Sequence, residues 1–78
     1  MQKNKDINRI KVVLAERKRT NKWLAAELDK DPATVSKWCT NTAQPCLETL
    51  LEIARVLEVD VKDLLNSSKT EAKYIRVE

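Results

Sequence analysis

The side chains of this chain that could do chemistry are hydrogen-bond donors and acceptors, not nucleophiles. Between positions 20 and 44 they fall into three groups: Thr20, Asn21 and Lys22; then Thr34, Ser36 and Lys37, with the apolar Pro32 and Ala33 beside them; then Thr40, Asn41, Thr42 and Gln44. Short hydroxyls, carboxamides and ammonium groups of this kind bond to phosphate oxygens and to the edges of bases. Lys37 can donate to O6 and N7 of guanine, and Ala33 or Thr34 can offer a methyl group to thymine. A phosphate is the other acceptor open to Lys37. The chain contains no His and no Gly, so it has neither a Gly-rich phosphate loop nor a His base, and its carboxylates form no evident pair. That pattern argues against an enzyme and names no catalytic residue. Cys39 and Cys46 are separated by six residues rather than two, with no His to complete a ligand set. They read as reduced structural thiols, with a redox switch as the alternative, and no metal or cofactor is expected.

Helices must position these groups. Leu24, Ala25 and Leu28 lie at helical spacing, Asp29-Lys30-Asp31-Pro32 interrupts the pattern, and Val35 and Trp38 resume it. The sequence therefore predicts a helix from Asn21 to Leu28 capped by Thr20. A second follows, with Asp31 as N-cap, Pro32 at its first position and an end near Cys39. An earlier helix is expected from Asp6 to Lys18, with Asp6 at its start and Ile7, Ile10, Val13 and Leu14 as its inner stripe. A later one is expected over Leu47–Leu57, with Leu47, Leu50, Leu51, Ile53, Ala54 and Leu57 turned inward. Asp60 should cap a last short helix, Val61–Leu65, before a polar linker beginning at Asn66.

The run NKWLAAELDKDPATVSKWCTN, followed by TAQPCLETLLEIARVL, resembles the Cro/repressor-type (XRE) family of helix-turn-helix regulators, and Thr20 to Leu57 aligns with its pattern without a gap. The resemblance implies an all-α, five-helix bundle of the lambda-repressor-like type. It also implies that the helix over residues 32–39 enters the major groove, with Pro32, Ala33 and Lys37 at base-contacting positions and Thr34 and Ser36 beside them. Asn21 stands in the place of the family's Gln at the start of the preceding helix, where an amide and free N–H groups can hold a phosphate. Thr20 and Lys22 flank it. The loop residues Thr40, Asn41, Thr42 and Gln44 correspond to a backbone-contacting loop in relatives.

Four further positions depart from the family pattern. Asn41 and Asp29 replace turn glycines, and both tolerate a left-handed backbone better than most residues. Lys30 replaces a buried aliphatic residue and must turn its stem outward. Trp23 replaces an exposed acid, so it either packs over the core or leaves an apolar patch for a partner. Trp38, in register with Val35, reads as core.

The bulk composition fits a small helical binding module. With 78 residues, 42% hydrophobic and 35% charged, the chain holds one domain whose core is marginal in size. Its formal charge of +3 is unevenly placed, with ten Lys/Arg against five Asp/Glu in residues 1–39 and five against seven in residues 40–78. The first half is therefore the expected face for a polyanion. No apolar run approaches the ~18 residues that a bilayer span needs. The opening residues also lack the apolar centre of a secretory signal, and a cytoplasmic location is expected. Residues 1–66 are assigned to the DNA-binding domain and 67–78 to a linker and an extended tail. In that tail, AKYIRVE favours a strand that could pair with a second copy. Leu65, Tyr74, Ile75 and Val77 are the expected dimerisation residues. The sequence thus predicts a homodimeric regulator of duplex DNA, more readily a repressor than an activator. The alternative is a helix-turn-helix fold used for protein contact, like that of an antitoxin.

Overall fold

The computed structural model describes residues 6–67, so Tyr74, Ile75 and Val77 lie outside the described residues, as does most of the expected linker and tail. Four α-helices follow in order: α1 (Ile10–Glu16), α2 (Asn21–Leu28), α3 (Pro32–Cys39) and α4 (Leu47–Leu57). A single 3-10 turn, Val61–Leu64, closes the described chain. The family pattern and the spacing both predict a fifth helix. Instead the Asp60–Asp63 capping box holds only one tight turn, and Leu65 then becomes extended with φ −120° and ψ 145°. Among the described residues the architecture is all-α, with four α-helices rather than five.

The termini of α2 and α3 follow from their capping residues. Thr20 Oγ1 accepts from Trp23 N–H at 3.0 Å, and Asp31 Oδ1 accepts from Ala33 N–H at 2.9 Å. Each such cap contributes about 1 kcal/mol. Pro32 occupies the first position of α3, where its missing N–H costs no hydrogen bond.

The expected start of α1 at Asp6 is wrong, and the cause is Asn8. Its Oδ1 accepts from Ile10 N–H at 3.0 Å, while its backbone forms an antiparallel bridge with Leu65. Residues before Ile10 are thereby held out of the helix. Asp6 is not its cap, and Ile7 is 52% exposed instead of buried. Asn66, expected to open a linker, instead donates its N–H to Ile7 O at 2.9 Å and its Nδ2 to Asp6 O. Leu65, expected at a dimer surface, has its backbone in this bridge and its side chain exposed.

The core is built from one stripe of each element: Ile10, Val13 and Leu14 of α1; Leu24 and Ala25 of α2; Val35 and Trp38 of α3; Leu50, Ile53, Ala54 and Leu57 of α4; and Leu64. Leu47 and Leu51 were expected inside but are 70% and 52% exposed. The apolar stripe of α4 is wider than the face its neighbours cover, and these two residues, one turn apart, sit on its outer edge. Trp23 is half-buried against the core, with the Arg19 guanidinium 4.5 Å from its ring centroid. Lys30 is exposed.

All four α-helices end alike. Lys18, Asp29, Asn41 and Glu58 adopt left-handed φ values of 58°, 57°, 61° and 59°, one after each helix. In every case the next residue's N–H reaches back to a carbonyl five positions earlier: Arg19 to Leu14, Lys30 to Ala25, Thr42 to Lys37 and Val59 to Ala54. These are Schellman closures, which satisfy the last carbonyls of a helix and are usually made by glycine. Here none is. No helix among the described residues is long and apolar enough to cross a membrane.

Candidate nucleic-acid interface

Helix α3 divides cleanly into two faces. Val35, Trp38 and Cys39 are buried, whereas Pro32, Ala33, Thr34, Ser36 and Lys37 are all exposed. The five candidate base-contacting residues therefore share the outward side of one helix, placed there because Val35 and Trp38 anchor the other side to the core. Ion pairs among the described residues are Arg9–Glu16 and Arg55–Glu52. The ammonium groups of Lys22 and Lys37 consequently carry no carboxylate partner there. Asp31 places a carboxylate at the head of α3, which limits the pull of that helix terminus on an anion.

The start of α2 meets the end of α3. The Cys39 thiol donates to Asn21 Oδ1 at 3.2 Å, so the carbonyl side of that amide turns inward and Nδ2 remains for an outside acceptor. The cap by Thr20 uses the N–H of Trp23, and helix geometry leaves the N–H groups of Asn21 and Lys22 without intrahelical acceptors. The Asn21 carboxamide and two N–H groups thus stand at one positive helix end, with the exposed Lys22 next in sequence. At the other end of the motif, Thr40 Oγ1 lies 3.2 Å from both Ser36 O and Lys37 O, and 2.8 Å from Thr42 Oγ1. Both threonines are exposed.

Asn41 and Gln44, the other two candidate phosphate contacts of this loop, also have partners inside the fold. Asn41 Oδ1 accepts from the N–H groups of Ile7 and Asn8, each at 2.9 Å, and from Gln44 Nε2 at 3.1 Å. Gln44 Oε1 accepts from Asn8 Nδ2 at 2.8 Å. Sequence reasoning missed Asn8 altogether. An Asn before an apolar helical run does signal a local cap, as its bond to Ile10 shows, but its other partners, Trp38, Asn41 and Gln44, lie thirty or more residues away.

The two thiols are both free and differ in setting. Burial pushes the Cys39 thiol above its usual pKa, with the nearby Lys11 charge opposing. Hydrogen bonding to Thr49 lowers that of the exposed Cys46. Cys46 stands at the N-cap of α4, but its side chain accepts no cap hydrogen bond and lies 3.2 Å from Thr49 Oγ1. Among the described residues no cluster of three or more His, Cys, Asp or Glu side chains could hold a metal ion.

Two helices at this spacing, joined by a left-handed turn and followed by a third core helix, match the sequence pattern of the Cro/C1-type HTH DNA-binding domain over residues 9–69. The chain belongs to that family. Its fold is also similar to the crystal structure of a "putative DNA-binding protein" from Bacteroides fragilis. The two chains are 52% identical, with a TM-score of 0.76, and the match covers 77% of this chain and 97% of the other. No functionally curated protein matches. In this Cro/C1-type domain, α2 and α3 are the two consecutive helices of the helix-turn-helix unit.

Proposed function

We propose that this protein is a sequence-specific transcriptional regulator that inserts α3 into the major groove of duplex DNA. The observation that carries this reading is the exposed row Pro32, Ala33, Thr34, Ser36 and Lys37 on a helix whose other face is locked into the core. Phosphate-binding groups flank the row at both ends. Thr20, Asn21 and Lys22 serve one strand of the backbone, and Thr40 and Thr42 serve the loop side. Asn41 and Gln44 act by shaping that loop. Repression is the favoured outcome, since a domain of this size sitting on an operator can exclude other proteins without further machinery. The domain assignment, residues 1–66 for DNA and 67–78 for linker and tail, and a cytoplasmic location belong to the same reading.

The test is duplex binding as a function of salt, after selection of a preferred site from random duplexes. Each neutralised phosphate contributes about −0.9 to the slope of log K against log salt. A steep slope together with a preferred sequence is the expected result. No salt-sensitive complex with any duplex would replace this reading with the protein-interaction one.

A homodimer completes the proposal, because one domain covers a single groove face and two half-sites about 34–36 Å apart require two copies. Leu65, Tyr74, Ile75 and Val77 are its proposed contacts. Removing residues 70–78 should shift the protein toward monomer in sedimentation equilibrium while its helical circular dichroism is retained. If the truncated chain dimerises as tightly as the full one, the exposed Leu47 and Leu51 of α4 become the better candidates.

A further inference from the structure

Asn8 is a buried polar residue, only 3% exposed, that lies before the helix-turn-helix unit and touches none of its outward face. Each polar group of its carboxamide is used. Nδ2 donates to Trp38 O at 2.9 Å and to Gln44 Oε1 at 2.8 Å, and Oδ1 accepts from Ile10 N–H at 3.0 Å. Asn41 answers from the other side. It accepts the Asn8 N–H at 2.9 Å and donates its Nδ2 to Asn8 O at 3.1 Å, so its side chain pairs with a backbone as a neighbouring strand would. Gln44 closes the ring by donating Nε2 to Asn41 Oδ1 at 3.1 Å. Reversing any one of the three amides would set donor against donor and acceptor against acceptor, so the ring fixes its own orientation.

What this ring holds is the end of α3. Trp38 O belongs to its last turn, Asn41 is its left-handed closing residue, and Thr40 and Thr42 lie on either side of Asn41. The far edge of the 6–9 segment is secured as well, because Arg9 N–H donates to Leu64 O at 2.8 Å and Asn66 N–H donates to Ile7 O at 2.9 Å. The loop after α3 is therefore fastened to a segment that is itself tied down on both edges.

We propose that Asn8 and Asn41 form a clasp that positions the loop after the recognition helix, making both of them positioning residues for the phosphate contacts of Thr40 and Thr42. This rests on the DNA-binding reading for its consequence but not for its existence. Asn41 is then more than a residue that tolerates the turn, because its carboxamide does work that a glycine in the same conformation could not.

That difference supplies the test. Asn41→Gly keeps the left-handed turn, which glycine adopts freely, and removes only the clasp. In the full chain, hydrogen exchange read by NMR should quicken at the N–H groups of Thr42 and Ala43, both of which bond to Lys37 O, while protection at Leu24 and Ile53 is unchanged. Unchanged exchange at Thr42 and Ala43 overturns the clasp whether or not the protein binds DNA. On duplex DNA, Asn41→Gly should weaken binding by roughly tenfold, alike on preferred and unrelated sequences. The double variant Asn41→Gly with Thr42→Ala should lose no more than the worse single variant, since one acts through the other. Losses that simply add, or wild-type affinity in Asn41→Gly, would leave the clasp without a part in DNA binding. A wild-type chain that binds no duplex would sink the DNA reading itself and leave the exchange result to decide the clasp.

Discussion

Leu24→Ala is expected to remove about 2–5 kcal/mol of folding stability, because Leu24 is fully buried where α2 packs on its neighbours and the lost methyl groups leave a cavity. Proteins hold roughly 0.05–0.15 kcal/mol per residue, or about 4–12 kcal/mol for a chain of this length. The substitution therefore takes a large share of the total. Each kcal/mol moves the melting temperature of so small a domain by about 4–8 °C, so thermal denaturation followed by circular dichroism will register it. Leu47→Ala is the matched control. Leu47 is 70% exposed, and its truncation should cost no more than about 0.5 kcal/mol. Equal losses at the two positions would mean that the outer face of α4 is covered, and would favour a dimer built on that helix.

Lys37→Ala is expected to erase discrimination at one base pair in each half-site, a loss of about 1–3 kcal/mol in the preference for the best sequence over its single-base variants. The basis is position. Lys37 is exposed, lies on the outward face of α3 and has no carboxylate partner among the described residues. Asn21→Ala should behave differently, weakening binding to every duplex by a similar factor, because a backbone clamp carries no sequence information. Competition binding against a panel of singly altered duplexes separates the two patterns. Uniform weakening by Lys37→Ala would reassign that lysine to a phosphate.

The sequence read most reliably where one residue type has one local consequence. Thr20, Asp31 and Pro32 set helix starts within a few residues of themselves, and Leu24, Val35 and Trp38 repeat at a period that only a helix turns to one side. The failures involve partners distant in sequence. Asn8 ends up beside Trp38, Asn41, Gln44 and Leu65, and that junction moves the start of α1, exposes Ile7 and gives Asn41 and Gln44 partners inside the fold. Leu47 and Leu51 show a second limit. Periodicity gives the width of an apolar stripe, but only the neighbouring elements decide how much of it is covered. The last element shows a third, since four residues cannot reveal by spacing whether they will form a 3-10 turn or the start of an α-helix.

The four left-handed helix ends bear on how far this protein could be hardened against heat. A chain without glycine samples fewer backbone states when unfolded, and so gives up less entropy on folding. Against this, each non-glycine residue near φ +58° crowds its own Cβ against the backbone, at about 1 kcal/mol or more. Asp29 and Asn41 soften that crowding with short polar side chains, and Asn41 is committed to the clasp besides. Lys18 and Glu58 have no such relief, so the crowding there outweighs the entropy saved. Their surface positions hold unused thermal tolerance, open to a glycine exchange that leaves both the core and the outward face of α3 untouched.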